Sequence, residues 1–101
     1  MFGVSDFFIN QCVERFDESE QLDILEEECA ELIQACSKLK RSLGHYTMTD
    51  PLDNLKMELT HVAISSAVVS KLYGIKQEDI DAEVNKKAAK YNFKKEVNIE
   101  E

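Results

Sequence analysis

Two stretches of this 101-residue chain repeat one helical design, thirty residues apart. Leu22, Asp23, Leu25, Glu28, Glu31 and Gly44 in the first correspond to Leu52, Asp53, Leu55, Glu58, His61 and Gly74 in the second. Within each copy apolar or small residues recur at alternating steps of three and four, the spacing that keeps them on one side of an α-helix. The first series is Leu22, Leu25, Cys29, Leu32, Cys36, Leu39 and Leu43; the second is Leu52, Leu55, Leu59, Val62, Ser66, Val69 and Tyr73. A helix with one such seam buries it lengthwise against another helix, and with so short a connection between the two copies they should pack as antiparallel neighbours at the centre of an all-α fold. Strand signals are weak: one proline, three glycines, neither an Asn-Gly nor an Asp-Gly turn, and no sustained polar–apolar alternation.

The punctuation between apolar runs predicts four helices. The first covers 4–16, with Ser5 or Asp6 as its cap, and presents Phe8, Cys12, Val13 and Phe16. The second covers 20–43; Gly44 stops it in the left-handed conformation, and Lys38, Lys40 and Arg41 suit the negative end of its dipole. A short polar connection, HYTMTD, leads to the third helix. There Asp50 reads as N-cap and Pro51 as first helical residue, the helix runs to 73, and Gly74 closes it. The fourth covers 77–93 and places Ile80, Val84, Lys87, Ala88 and Tyr91 along one stripe, with acids early and lysines late. The chain is expected to be a single domain over 1–101, with 1–17 as an N-terminal helix and 94–101 as a flexible tail.

So short a chain buries a modest core alone, and self-association as a homodimer or tetramer is the expected remedy. A formal charge of −8 repels phosphate backbones and anionic lipid, which argues against duplex nucleic acid as a partner. No apolar stretch approaches the roughly 20 residues a membrane span needs, and no basic leader precedes an apolar run. A soluble, cytoplasmic protein without a membrane partner is the expectation. Cys29 and Cys36 lie two turns apart on one helix and cannot bridge each other. With Cys12 they read as small buried hydrophobes in a reducing compartment, the competing reading being a reactive thiol or metal ligand.

At 100° per residue Glu28 falls at the border of its seam and Glu31 farther round, and Glu58 and His61 occupy the same angles on the next helix. Residues three apart project from one face, so each helix offers a two-ligand claw. Converging inward carboxylates are costly and repel one another, and a hard divalent cation with oxygen ligands removes both costs. The competing reading treats Glu26, Glu27, Glu28 and Glu31 as a solvated acidic face. The repetition of the register favours the metal site.

The segment LEEECAELIQA resembles the E-E-x-x-E motif of the MazG-like all-α nucleoside triphosphate pyrophosphohydrolases, and Glu58-Leu59-Thr60-His61 followed by VAISSAVVSKLYGI resembles their second motif, E-x-x-D before an apolar helix. The likeness covers residues 22–92. It implies a four-helix bundle completed by oligomerisation, Mg²⁺ held by Glu28, Glu31, Glu58 and the residue at 61, and hydrolysis of a nucleoside triphosphate, deoxy or noncanonical forms included, to the monophosphate and pyrophosphate. VNKKAAKYNFKK is similar to the family's fourth-helix pattern, which implies phosphate or nucleotide contacts from Asn85, Lys86, Lys87, Lys90 and Tyr91. Lysines late in a helix are also expected on structural grounds alone.

His61 stands where the family carries aspartate. Imidazole brings nitrogen and no negative charge, so such a site should hold Mn²⁺, Co²⁺ or Zn²⁺ relatively better than an all-carboxylate one does. Glu27, beside the ligands, is the candidate for orienting the attacking water. Phe7, Phe8, Ile9 and Asn10 could wall a base pocket, though aromatic residues in that helix also suit a core or an interface. Two competing functions follow: a catalytically impaired helical dimerisation or regulatory module that keeps the same bundle, and a metal-binding helical protein without nucleotide chemistry.

Overall fold

The computed structural model describes residues 1–43 and 49–94. Its elements are α1 (Asp6–Arg15), a 3-10 turn (Glu18–Glu20), α2 (Gln21–Ser42), α3 (Thr49–Leu72) and α4 (Gln77–Lys90). The all-α expectation holds, with no strand among the described residues. No described helix is long and apolar enough to cross a membrane.

Local chemistry explains most of the boundaries. Ser5 is the cap of α1, its hydroxyl accepting the Phe8 N–H at 3.2 Å. Asp17 caps the 3-10 turn that leads into α2, an element the apolar periodicity does not announce. Its carboxylate accepts the Ser19 N–H at 3.0 Å and the Ser19 hydroxyl at 2.9 Å. Those two bonds, the backbone one foremost, hold its carboxyl below the usual aspartate range.

Helix α3 begins at Thr49, so Asp50 and Pro51 lie within its first turn instead of serving as cap and first residue. The first four N–H groups of a helix have no intrahelical partner, so proline sacrifices nothing there. Gly74 ends the helix as expected, at φ +69°, with the Ile75 N–H reaching back to the Ser70 carbonyl at 2.9 Å. Helix α4 stops at Lys90, short of the expected 93. Asn92, at φ +59°, makes the same kind of closure, and the Phe93 N–H bonds the Ala88 carbonyl at 2.7 Å. The expected Gly44 stop lies outside the described residues, as do most of the HYTMTD connection and the tail beyond Lys94.

From Leu43 to Thr49 the chain can span at most about 21 Å, at about 3.5 Å per residue. Helix α2 is roughly 33 Å long at 1.5 Å per residue, so α3 must return antiparallel beside it. That pair is the main contact of the fold, and α1 packs on α3. The buried apolar residues are Ile9, Cys12, Ala35, Ala67, Val68 and Val69. None of the α4 residues is buried, so the closely packed part of the bundle within one chain is α1–α3.

The seam of α2 differs from its sequence expectation by a rotation. Gln21 and Ala35 are buried, and Leu25, Glu28, Leu32 and Leu39 are half-buried, whereas Leu22, Cys29, Cys36 and Leu43 are exposed. Ala35, fully enclosed, is small enough to let α3 approach closely, and the contact centres on its line. On α3, Leu52, Leu59 and Tyr73 are likewise exposed. Cys12 is buried as expected; Cys29 and Cys36 are not.

Candidate metal centre

The antiparallel course sets Glu28 of α2 level with His61 of α3, and their Oε2 and Nδ1 atoms are 3.3 Å apart. Glu58, one turn earlier on α3, brings its Oε2 to 4.0 Å from the same nitrogen. Glu31, one turn later on α2, completes a tetrad in which one ligand atom from each residue lies within 4.8 Å of all the others. Spacing of three on both helices produces this convergence: reversing one helix exchanges the order of its claw and leaves both members facing the other claw.

Burial is graded across the tetrad. Glu58 is buried, only 6% exposed, Glu28 and His61 are half-buried, and Glu31 is exposed. The Oε2 atoms of Glu28 and Glu58 are enclosed, yet neither has a hydrogen-bond donor. The 3.3 Å approach of His61 to Glu28 is short enough for an ion pair but misaligned for a hydrogen bond. Buried carboxylate oxygens without donors are expensive, and a cation is the partner that satisfies several at once.

The donor set fits such an ion. Metal–oxygen distances of roughly 2.0–2.6 Å put opposite ligands roughly 4–5 Å apart, which matches the span of the tetrad. Three carboxylates suit Mg²⁺ or Mn²⁺, and the imidazole nitrogen favours Mn²⁺, Co²⁺ or Zn²⁺ more than a fourth oxygen would. Beside the tetrad Glu28, His61, Ile64 and Ser65 line an open cleft. Ser65 is buried with its hydroxyl unpartnered, four residues beyond His61 and seven beyond Glu58. Helical spacing alone places it on this face, although a serine without a motif around it attracts no notice in sequence.

The other residues singled out in the sequence do not meet at this point. Glu27 is exposed and outside the tetrad. Asn85, Lys86, Lys87, Lys90 and Tyr91 lie on or at the end of α4, all exposed, and none lines the cleft. Lys86 donates to Glu83 at 2.9 Å, and the Lys87 ammonium sits 5.7 Å from the Tyr91 ring centre. Phe7 and Phe8 are exposed, and Ile9 belongs to the core. Ile9 and Asn10 line a separate cleft with Ala67 and Lys71 of α3.

Compared with protein-family models, curated proteins and solved structures, the chain has no match. Fold and site define its class by themselves: an all-α chain whose central helix pair gathers three glutamates and a histidine around a common point.

Proposed function

We propose that the protein is a metal-dependent nucleotide pyrophosphohydrolase, cytoplasmic and self-associating, that converts a nucleoside triphosphate to its monophosphate and pyrophosphate. The observation that carries this reading is the pair of enclosed, donorless oxygens of Glu28 and Glu58, with Glu31 and His61 in reach of the same point. Motif order supports it: both claws fall where the resemblance to MazG-like enzymes would put metal ligands.

Glu28, Glu31, Glu58 and His61 would hold Mg²⁺, or Mn²⁺ in view of the imidazole. A divalent cation there offsets triphosphate charge and makes a bound water a better nucleophile. Glu31, the one exposed member of the tetrad, would be the ligand most accessible to an incoming phosphate. Glu27 would orient the attacking water and accept its proton. The lysines of α4, with Asn85 and Tyr91, would counter charge on the departing pyrophosphate once α4 of the same chain or of a neighbour lies over the cleft. A panel of triphosphates assayed for pyrophosphate release with Mg²⁺ and with Mn²⁺ tests the proposal. Glu28→Gln should lower release on the order of 100-fold or more, because it removes a direct ligand. Release unchanged by that substitution would sink the assignment.

One observation favours a second reading. His61 Nδ1 lies between Glu28 and Glu58, and a protonated imidazole could supply the missing positive charge itself. The protein would then be a catalytically impaired helical module. His61→Asp separates the two: an inactive relative should gain hydrolysis, whereas a tuned enzyme should lose its own metal preference and shift toward Mg²⁺. A metal-binding protein without nucleotide chemistry would show no change in melting temperature when a triphosphate is added.

A further inference from the structure

We infer that the outer face of α2 pairs with the same face of a second copy, the two helices antiparallel about a two-fold axis beside residues 32 and 33. The inference is independent of the chemistry at the tetrad. Helix α2 covers one side with α3 and leaves a second stripe open: Leu22, Glu26, Cys29, Ile33, Cys36 and Lys40, continued by Leu43 at the C-cap, all exposed. Ile33 is 67% exposed, unusual for an apolar residue in a helix that already has one packed side, and Leu43, the C-cap residue just past the helix, is 58% exposed. These positions alternate steps of four and three, the spacing of a helix seam.

Read backwards, the stripe complements itself, which a two-fold interface requires. Such an axis sets Leu22 against the partner's Leu43, Glu26 against the partner's Lys40 and Cys29 against the partner's Cys36. Ile33 meets its own copy at the centre. Carboxylate faces ammonium and apolar faces apolar in every layer. A parallel pairing would instead place Glu26 on Glu26 and Lys40 on Lys40, and like charges in register repel.

Helix α3 supplies an independent check. Because Glu28 is level with His61, the level of residues 32 and 33 on α2 falls near residue 56 on α3. The same axis then opposes Leu52 to the partner's Leu59 and brings Leu55 near its own copy. Leu52 and Leu59 are exposed and Leu55 half-buried. The thirty-residue repeat puts Leu52 and Leu59 at the positions of Leu22 and Cys29, on the matching side of the hairpin. Ile33 and Glu31 are about 200° apart round α2, so this pairing leaves the tetrad's open side uncovered.

Cysteine cross-linking tests the register. In a Cys12→Ser background, diamide takes up the two hydrogens released as two thiols join, and the protein should become a covalent dimer. Cys29→Ser or Cys36→Ser alone should abolish the cross-link, because the like cysteines that remain are about 10 Å apart along the axis, beyond the reach of a disulfide. Mixing the two single variants should restore one bond per pair. Ile33→Asp, at an exposed position, should keep its helicity by circular dichroism and halve the sedimenting mass. A parent that sediments as a monomer at on the order of 100 µM, far above a typical working concentration for a stable dimer, overturns the inference. So does a parent dimer that diamide does not cross-link, a single cysteine variant that cross-links as well as the parent, or an Ile33→Asp protein of unchanged mass.

Discussion

Glu58 is poorly accommodated by the protein alone. Its side chain is buried at the α2–α3 contact, and one carboxylate oxygen has no donor, with Glu28 equally unpartnered beside it. Replacing it with glutamine removes a buried charge and supplies an amide that can donate to Glu28. With a chelator present, Glu58→Gln should therefore raise unfolding stability by about 1–3 kcal/mol, the usual range for an unsatisfied buried polar group. The same variant should lose the stabilisation that Mn²⁺ gives the wild type. Urea unfolding with and without the ion checks both, and a destabilised Glu58→Gln protein in chelator would show that the carboxylate is compensated. The four members of the tetrad are legible in sequence because their spacing occurs twice. Their graded burial is not, since it depends on a rotation of α2 that the placement of Ala35 decides only in three dimensions. Helical spacing places Ser65 on the same face, but that its hydroxyl is enclosed without a partner shows only in the folded structure.

At the scale of elements, stops and caps carry separable energies. Gly74 sits at φ +69° with open space where a Cβ would go, so Gly74→Ala meets backbone strain and no clash. The expected cost is roughly 1–2 kcal/mol, the penalty of a left-handed conformation for an L-residue, read as a lower urea midpoint. Asp17 gives a pH-dependent counterpart. Its folded carboxyl titrates below its ordinary value because Ser19 bonds the ionised form. The stabilisation is therefore fully present above the unfolded value of about 3.9 and disappears as pH falls through the lower folded value. Asp17→Ala should lower the urea midpoint at pH 7 and match the wild type once both carboxyls are protonated; a gap that persists in acid would assign the effect to something other than this cap. Helix count and order are legible from periodicity and from Gly74. The end of α4 is not, because the left-handed turn there falls on Asn92, a residue that takes this position only sometimes where glycine is usual, and nothing adjacent advertises it. The seams are legible as spacing but not as direction: Leu22, Cys29, Cys36 and Leu43 form one column and Leu25, Leu32 and Leu39 another, and a sequence does not say which column meets α3.

The whole molecule combines a net charge of −8 with a core whose fully enclosed members are small, Ala35 and Ala67 foremost. Neither feature favours a high stability for the chain by itself. Added cations can act on it in two ways that are distinguishable. Monovalent salt screens repulsion between exposed acids over about 10 Å at 0.1 M and reaches enclosed groups far less. A divalent ion bound at the tetrad instead stabilises by mass action, by about 2.7 kcal/mol at a hundredfold excess over its dissociation constant. Melting temperature should thus climb with the logarithm of Mn²⁺ concentration well beyond the rise that NaCl gives at equal ionic strength. Glu28→Gln should remove that excess and leave the NaCl response intact, because the substitution empties the tetrad of one ligand and barely alters the surface field. Equal responses to MnCl₂ and NaCl would mean that three glutamates and a histidine meet at the α2–α3 contact without selecting an ion, and the functional reading built on them would fall with that result.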